Sequence, residues 1–172
     1  MRLNLNTLID HKESKTINNI TVVFDNIVHA LCKKILRKQT VYVVGCSAWL
    51  SNKKILSCLN RKKGCSIIIT NDRKMLRSKK LRKMYCKLPQ FQPPHKAINV
   101  IGTVGKKQSL MHNKFLIGLS ETKDPIWVVT GSFNLTESAV YHLENCIIID
   151  DSAVALLYMR EFCELYKISR PL

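Results

Sequence analysis

Three short polar sites interrupt apolar, strand-like stretches in the second half of this 172-residue sequence. They are His112-Asn113-Lys114 ahead of FLIG, Gly131-Ser132-Phe133-Asn134 behind IWVVT, and Glu144-Asn145 ahead of CIII. Side chains of an extended segment alternate with a period of two, so His112 and Lys114 share one face, as do Ser132 and Asn134. An imidazole can attack or protonate a phosphorus ester while a fixed ammonium neutralises the non-bridging oxygens. Hydroxyl and amide donors can hold the same oxygens. This set suits phosphoryl transfer without a metal, and strand ends of an α/β sheet are where such sites are usually built.

The elements that must position these residues are legible as periodicities. Apolar Ile20, Val23, Phe24, Ile27, Val28, Leu31 and Ile35 follow the 3.6-residue stripe of a helix starting after the capping candidates Asn18 and Asn19 and closed by Lys33, Lys34, Arg37 and Lys38. Residues 40–46 (TVYVVGC) and 65–70 (CSIIIT) are β-branched apolar runs of strand length, separated by a helix that Ser51 can cap and that carries Ile55, Leu56 and Leu59. Strand, helix, strand at this spacing is a βαβ unit with parallel strands. Pro89, Pro93 and Pro94 mark a connecting loop; residues 98–103, 114–117, 126–131 and 146–149 read as further strands, and 153–166 as a closing amphipathic helix. The expected fold class is α/β, a mixed and largely parallel sheet flanked by helices on both faces, forming one domain over 20–172 behind an N-terminal extension, 1–19. Trp49, Trp127 and Tyr42 lie in or beside strands and are expected in the core.

Charge narrows the partner. Lys and Arg number 28 against 12 Asp and Glu, a net charge of +16, enough for a field that draws in polyanions such as nucleic acid or an anionic membrane surface. The excess is local: 12 basic residues and one acid, Asp72, lie between Arg61 and Lys96. Leu81, Met84, Tyr85 and Leu88 give this block one apolar helical face, leaving Arg73, Lys74, Arg77, Lys79, Lys80, Arg82 and Lys83 to meet phosphates. The seven cysteines are odd in number and include no C-x-x-C pair, so neither a disulfide framework nor a zinc site is indicated. With no secretory pattern in residues 1–19 and no apolar run of about 18 residues, the sequence reads as soluble, in a reducing intracellular compartment, with a membrane partner unlikely.

H-x-K, then G-S-x-N one strand later, then Glu-Asn before an apolar strand resembles the phospholipase D superfamily, in particular its small single-motif nuclease members. The segments SNKKILSCLNRKKGCSIII and ENCIIIDDSAVALLYMREF are similar to that family in order and spacing, so the resemblance covers the chain from about Ile20. It implies that His112 is a nucleophile forming a covalent phosphohistidine, that Lys114, Ser132 and Asn134 bind the phosphate, and that Glu144 orients the imidazole. It also implies a homodimer in which two His112 side chains face each other across a two-fold axis, with no cofactor or metal. The expected function is a metal-independent endonuclease cleaving DNA or RNA. Two departures stand out: the family's H-x-K-x4-D places its Asp where this chain has Leu119, and Glu144 sits one residue closer to Ser132. The alternatives are a catalytically silent nucleic-acid-binding protein of the same fold, and a phospholipid phosphodiesterase. Of the other histidines, His95 reads as surface, His29 as lying beside the core and His11 as part of the N-terminal stretch, while His142 is either close enough to Glu144 to line the cleft or, equally well, a surface residue at a helix end.

Overall fold

The computed structural model describes residues 15–105 and 110–172; His11 and most of the expected extension lie outside them. In chain order the elements are β1 (Lys15–Ile17), β2 (Ile20–Val23), α1 (Ile27–Ile35), β3 (Tyr42–Ser47), α2 (Lys53–Leu59), β4 (Gly64–Thr70), α3 (Arg73–Leu76), α4 (Lys79–Cys86), β5 (Ile98–Ile101), β6 (Phe115–Leu119), β7 (Pro125–Gly131), β8 (Cys146–Ile149), α5 (Ser152–Ile168) and β9 (Arg170–Pro171), with a 3-10 turn at Ser138–Tyr141. The strands join one sheet in the order β1-β2-β8-β7-β6-β3-β4-β5-β9.

The βαβ unit forms as the sequence dictates. Every residue of β3 and β4 is buried, which suits their continuous apolar runs, and the two strands are parallel. The sheet is mixed, but parallel pairing is confined to β3, β4 and β5, so the expected parallel majority gives way to antiparallel pairs elsewhere. For β6 and β7 the cause is connection length: β6 reaches β7 through a short turn closed by the Ser120 amide on the Asp124 carbonyl, 2.9 Å, and a short turn can join only antiparallel strands.

Helices cover both faces. Ile35 of α1, Ile55 and Leu59 of α2, and Leu81 and Tyr85 of α4 pack with Val43, Ile67 and Trp127 on one side. Ala155 and Phe162 of α5 pack with Val44, Ile68, Ile117 and Val128 on the other. Full burial of each large aliphatic side chain contributes roughly 1.5–3 kcal/mol.

Local structure departs from expectation at three places. Residues Ile20–Val23 are a strand rather than the first turn of a helix, pairing antiparallel with β8 from Ile20↔Ile149 to Val23↔Cys146, and Phe24, on the expected apolar stripe, is 52% exposed. The helix begins only at Ile27, after Asn26 turns the chain at φ 54°. Asn18 likewise adopts φ 54° in the turn between β1 and β2, so residues 15–19 belong to the sheet edge and not to an extension; asparagine tolerates that conformation. Asn52, not Ser51, caps α2, its Oδ1 accepting from the Lys54 and Ile55 amides. All seven cysteines are free, with Cys46, Cys58, Cys65 and Cys146 buried and Cys86 and Cys163 exposed. No helix among the described residues is long and apolar enough to cross a membrane.

Candidate active site

Five strand ends meet at one edge of the sheet. β3 and β4 finish there at Ser47 and Thr70, β6 starts there directly after residues 112–114, β7 finishes at Gly131, and β8 starts after Glu144 and Asn145. The register ties them together through Cys46↔Phe115, Phe115↔Thr130 and Gly131↔Cys146. This is the carboxyl edge of the parallel strands.

The segment ahead of β6 is pinned before it presents its side chains. The Thr70 hydroxyl donates to the carbonyl of buried Met111 at 2.6 Å, the Thr130 hydroxyl donates to the Lys114 carbonyl at 3.3 Å, and the Asn113 amide donates to Glu161 Oε1 of α5 at 3.4 Å. His112 and Lys114 therefore emerge on one side, as alternation requires. The Lys114 Nζ lies 3.3 Å from Nδ1 and 3.4 Å from Nε2 of the imidazole and donates to the His112 carbonyl at 2.8 Å. Partial burial pushes the Lys114 ammonium below the ordinary lysine pKa, and the nearby Glu144 carboxylate pulls in the opposite direction. Both residues open onto a cleft walled by Thr130, Gly131, Leu157, Tyr158 and Glu161.

Gly131 explains why the next site reads G-S-x-N. A Cβ there would lie 2.3 Å from the Asn145 carbonyl oxygen, so only glycine lets the ends of β7 and β8 approach this closely. The Ser132 amide then donates to the Asn145 carbonyl at 3.1 Å, and the Asn145 amide donates to Ser132 Oγ at 3.1 Å. Those bonds leave the serine's own proton unused. Downstream, the Leu135 amide donates to Ser47 Oγ at 3.2 Å, and the Ser51 and Asn52 amides donate to the Leu135 carbonyl at 2.8 and 2.9 Å. Between these anchors sits Asn134, whose Oδ1 is buried without a hydrogen-bond partner among the described residues. Leaving such a group unpaired costs about 1–3 kcal/mol, and its retention calls for a functional explanation.

Glu144 is near the site but does not bond His112. Its largely buried carboxylate faces His142 Nδ1 at 3.9 Å, lining a second cleft with His29, Phe133 and Asn145. The imidazole instead has an aromatic neighbour that sequence reasoning assigned to the core. Trp49 is half-buried, its ring centroid 6.4 Å from that of His112 with the planes at 90°, and its indole N–H donates to Asp72 Oδ2 at 3.0 Å. Trp127 and Tyr42 are core residues, 1% and 7% exposed. The same Asp72 caps α3, its Oδ1 accepting from the Lys74 and Met75 amides. The basic helices thus start one residue from the wall of the site. Arg73, Lys74, Arg77, Lys79, Lys80, Arg82 and Lys83 are all exposed, and none pairs with an acid among the described residues.

Residues 5–166 match the family model described as cardiolipin synthase, PLD-like domain. An uncharacterised protein of Acanthamoeba polyphaga mimivirus is 30% identical over 188 residues, which cover 88% of this chain and 66% of that protein; the chain thus spans just under two thirds of that relative's length. Among solved structures, NucT from Helicobacter pylori superposes with a TM-score of 0.66 at 15% identity, covering 89% of this chain and 98% of its own. Nuc from Salmonella typhimurium, a phospholipase D family member, gives 0.58 at 14% identity over 89% and 97% of the two chains. TrmBL2, an archaeal chromatin protein with a novel mode of DNA binding, gives 0.55 at 14% identity over 98% of this chain and 58% of its own. With the family match running through both H-x-K and G-S-x-N, and the fold shared with Nuc and NucT over 89% of the chain, the chain belongs to the phospholipase D superfamily.

Proposed function

We propose that this chain is a phosphodiesterase that cleaves nucleic acid through a phosphohistidine at His112. The observation that carries the reading is the Lys114 ammonium set against the His112 imidazole at the mouth of an open cleft. An ammonium there neutralises non-bridging oxygens as the imidazole nitrogen attacks phosphorus. Ser132 and Asn134, at the same sheet edge, supply the hydroxyl and amide donors for those oxygens. Attack forms the N–P bond and breaks a P–O bond; water then hydrolyses the phosphohistidine and restores the imidazole. The departing oxygen needs a proton, and His112 of a second copy, brought across a two-fold axis, supplies it. Glu144, which acts on the Lys114 ammonium, contributes to the field of the site and can meet an imidazole arriving from that second copy. Neither step requires a metal.

Leu119 does not weaken this reading. It is fully buried at the far end of β6, opposite Tyr42, about 14 Å beyond Phe115 at roughly 3.4 Å per residue. It fills a core position and leaves the groups around His112 untouched.

A silent nucleic-acid-binding protein is the second reading, favoured by the fold shared with the chromatin protein TrmBL2. One experiment separates the two: cleavage of labelled single- and double-stranded DNA and RNA in excess chelator, wild type against His112→Ala. Chelator-resistant cleavage that disappears in the variant while binding persists is the expected result. Salt-sensitive binding with no cleavage of any substrate would establish the second reading.

A further inference from the structure

We propose that Trp49, tethered by Asp72, is the positioning residue for the His112 imidazole. The inference rests on the nucleophilic role proposed for His112. A histidine that must attack along one line needs its ring plane fixed, and a carboxylate on the second ring nitrogen is the usual means. No carboxylate bonds this imidazole among the described residues: Glu144 faces His142, and Glu161 is engaged by Asn113. The ring instead meets Lys114 on one side and the Trp49 indole, at 6.4 Å and 90°, on another. That is the edge-to-face geometry in which two aromatic rings attract.

The indole is itself held. Trp49 follows β3 on the same carboxyl edge as the site, and its N–H bond to Asp72 Oδ2 leaves the ring little freedom about its own axis. Asp72 is in turn fixed by the two amides that its other oxygen accepts at the start of α3. The one acid in the basic block therefore links the phosphate-facing helices to the nucleophile through a single side chain.

The test uses Trp49→Ala, Trp49→Phe, Asp72→Asn and the double variant Trp49→Phe/Asp72→Asn, assayed on an oligonucleotide that the wild type cleaves. Loss of orientation lowers kcat by about tenfold or more in Trp49→Ala, with KM within about twofold. Trp49→Phe retains a ring without its tether and falls between the two. Because Asp72 acts through the indole, Asp72→Asn lowers kcat alone but adds nothing in the Trp49→Phe background; a role confined to capping α3 would add in full. An independent readout comes from fluorescence. The Trp49 emission, taken as the difference between wild type and Trp49→Phe, changes in His112→Asn, which removes the ring that packs against the indole. Unchanged kcat in Trp49→Ala, a rise in KM alone, additive variants, or Trp49 emission unchanged in His112→Asn would each overturn the positioning role. Absence of cleavage by the wild type would overturn the parent reading first, and the positioning role with it.

Discussion

At the scale of single residues, Lys114 is the group whose environment makes the sharpest statement. Burial lowers its pKa, so it loses its proton at a lower pH than an ordinary lysine, and the opposing pull of Glu144 does not reverse that direction. Two consequences follow from the sign. The folded state binds this proton less readily than the unfolded chain, so the cost is present at neutral pH and relieved as pH rises into the lysine range. In the proposed mechanism activity moves the other way, because deprotonation removes the charge that would neutralise the phosphate. The rate should therefore fall on the alkaline side, earlier than a free lysine would dictate. In Lys114→Arg the side chain stays charged through that range, so the alkaline limb should flatten even though the different fork geometry lowers the maximal rate about tenfold. A pH–rate profile of the two proteins decides it: an alkaline limb unmoved in the variant would mean that another group titrates. The pairing of His112 with Lys114, like that of Ser132 with Asn134, was legible because strand alternation is a local property. Trp49 was not, since the partners it meets there, Asp72 and His112, come from later in the chain and reach it only across the sheet edge.

Elements, rather than residues, decide whether the G-S-x-N segment stays in place. Asn52 does two jobs there: its Oδ1 caps α2, and its backbone amide, with that of Ser51, holds the Leu135 carbonyl next to Asn134. Asn52→Ala should cost about 1 kcal/mol in urea denaturation through loss of the cap, while Asn52→Ser, which keeps a capping oxygen and puts no charge beside Glu137, should cost only a few tenths. Equal losses in the two variants would show that the Asn52 side chain's long bonds to Thr136 and Glu137, each 3.5 Å, matter more than the cap. The sequence marked this helix but favoured its neighbour Ser51, since both residue types cap well; Asn52 caps because α2 begins at Lys53, which places Asn52 directly before the first turn. Similarly, β4 and β8 were legible to within a residue because both are runs of β-branched residues, buried throughout in β4 and at alternate positions in β8. Ile20–Val23 was not: its spacing continues the stripe of α1, and its true partner, β8, lies more than a hundred residues downstream.

At the scale of the whole molecule, charge and fold are kept on separate faces of the same helices. α4 is docked by buried Leu81 and Tyr85, the tyrosine hydroxyl donating to the Leu50 carbonyl, while its lysines and arginines face solvent without acidic partners among the described residues. Substitution of those exposed cations should thus leave the packing intact, and any change in nucleic-acid binding can be read as charge. Each phosphate left without its cation lowers the slope of log K against log salt by about 0.9 on duplex DNA or about 0.7 on a single strand. Replacing Arg73, Arg77, Lys80 and Lys83 together by Gln should therefore reduce the slope by about 3.6 units on duplex DNA or about 2.8 on a single strand if every one of them meets a phosphate. Affinity should weaken by a similar factor on all sequences, because bonds to the phosphate backbone carry no sequence information. The rate at saturating substrate should stay near that of the wild type, since in the proposed reading these side chains guide the strand and lie away from the reacting phosphorus. Fluorescence anisotropy across a salt series measures the slope, and thermal melting checks that the fold is kept. A slope unchanged in the quadruple variant would move the phosphate path away from α3 and α4, whereas a lost rate with an unchanged slope would make these residues part of the chemistry.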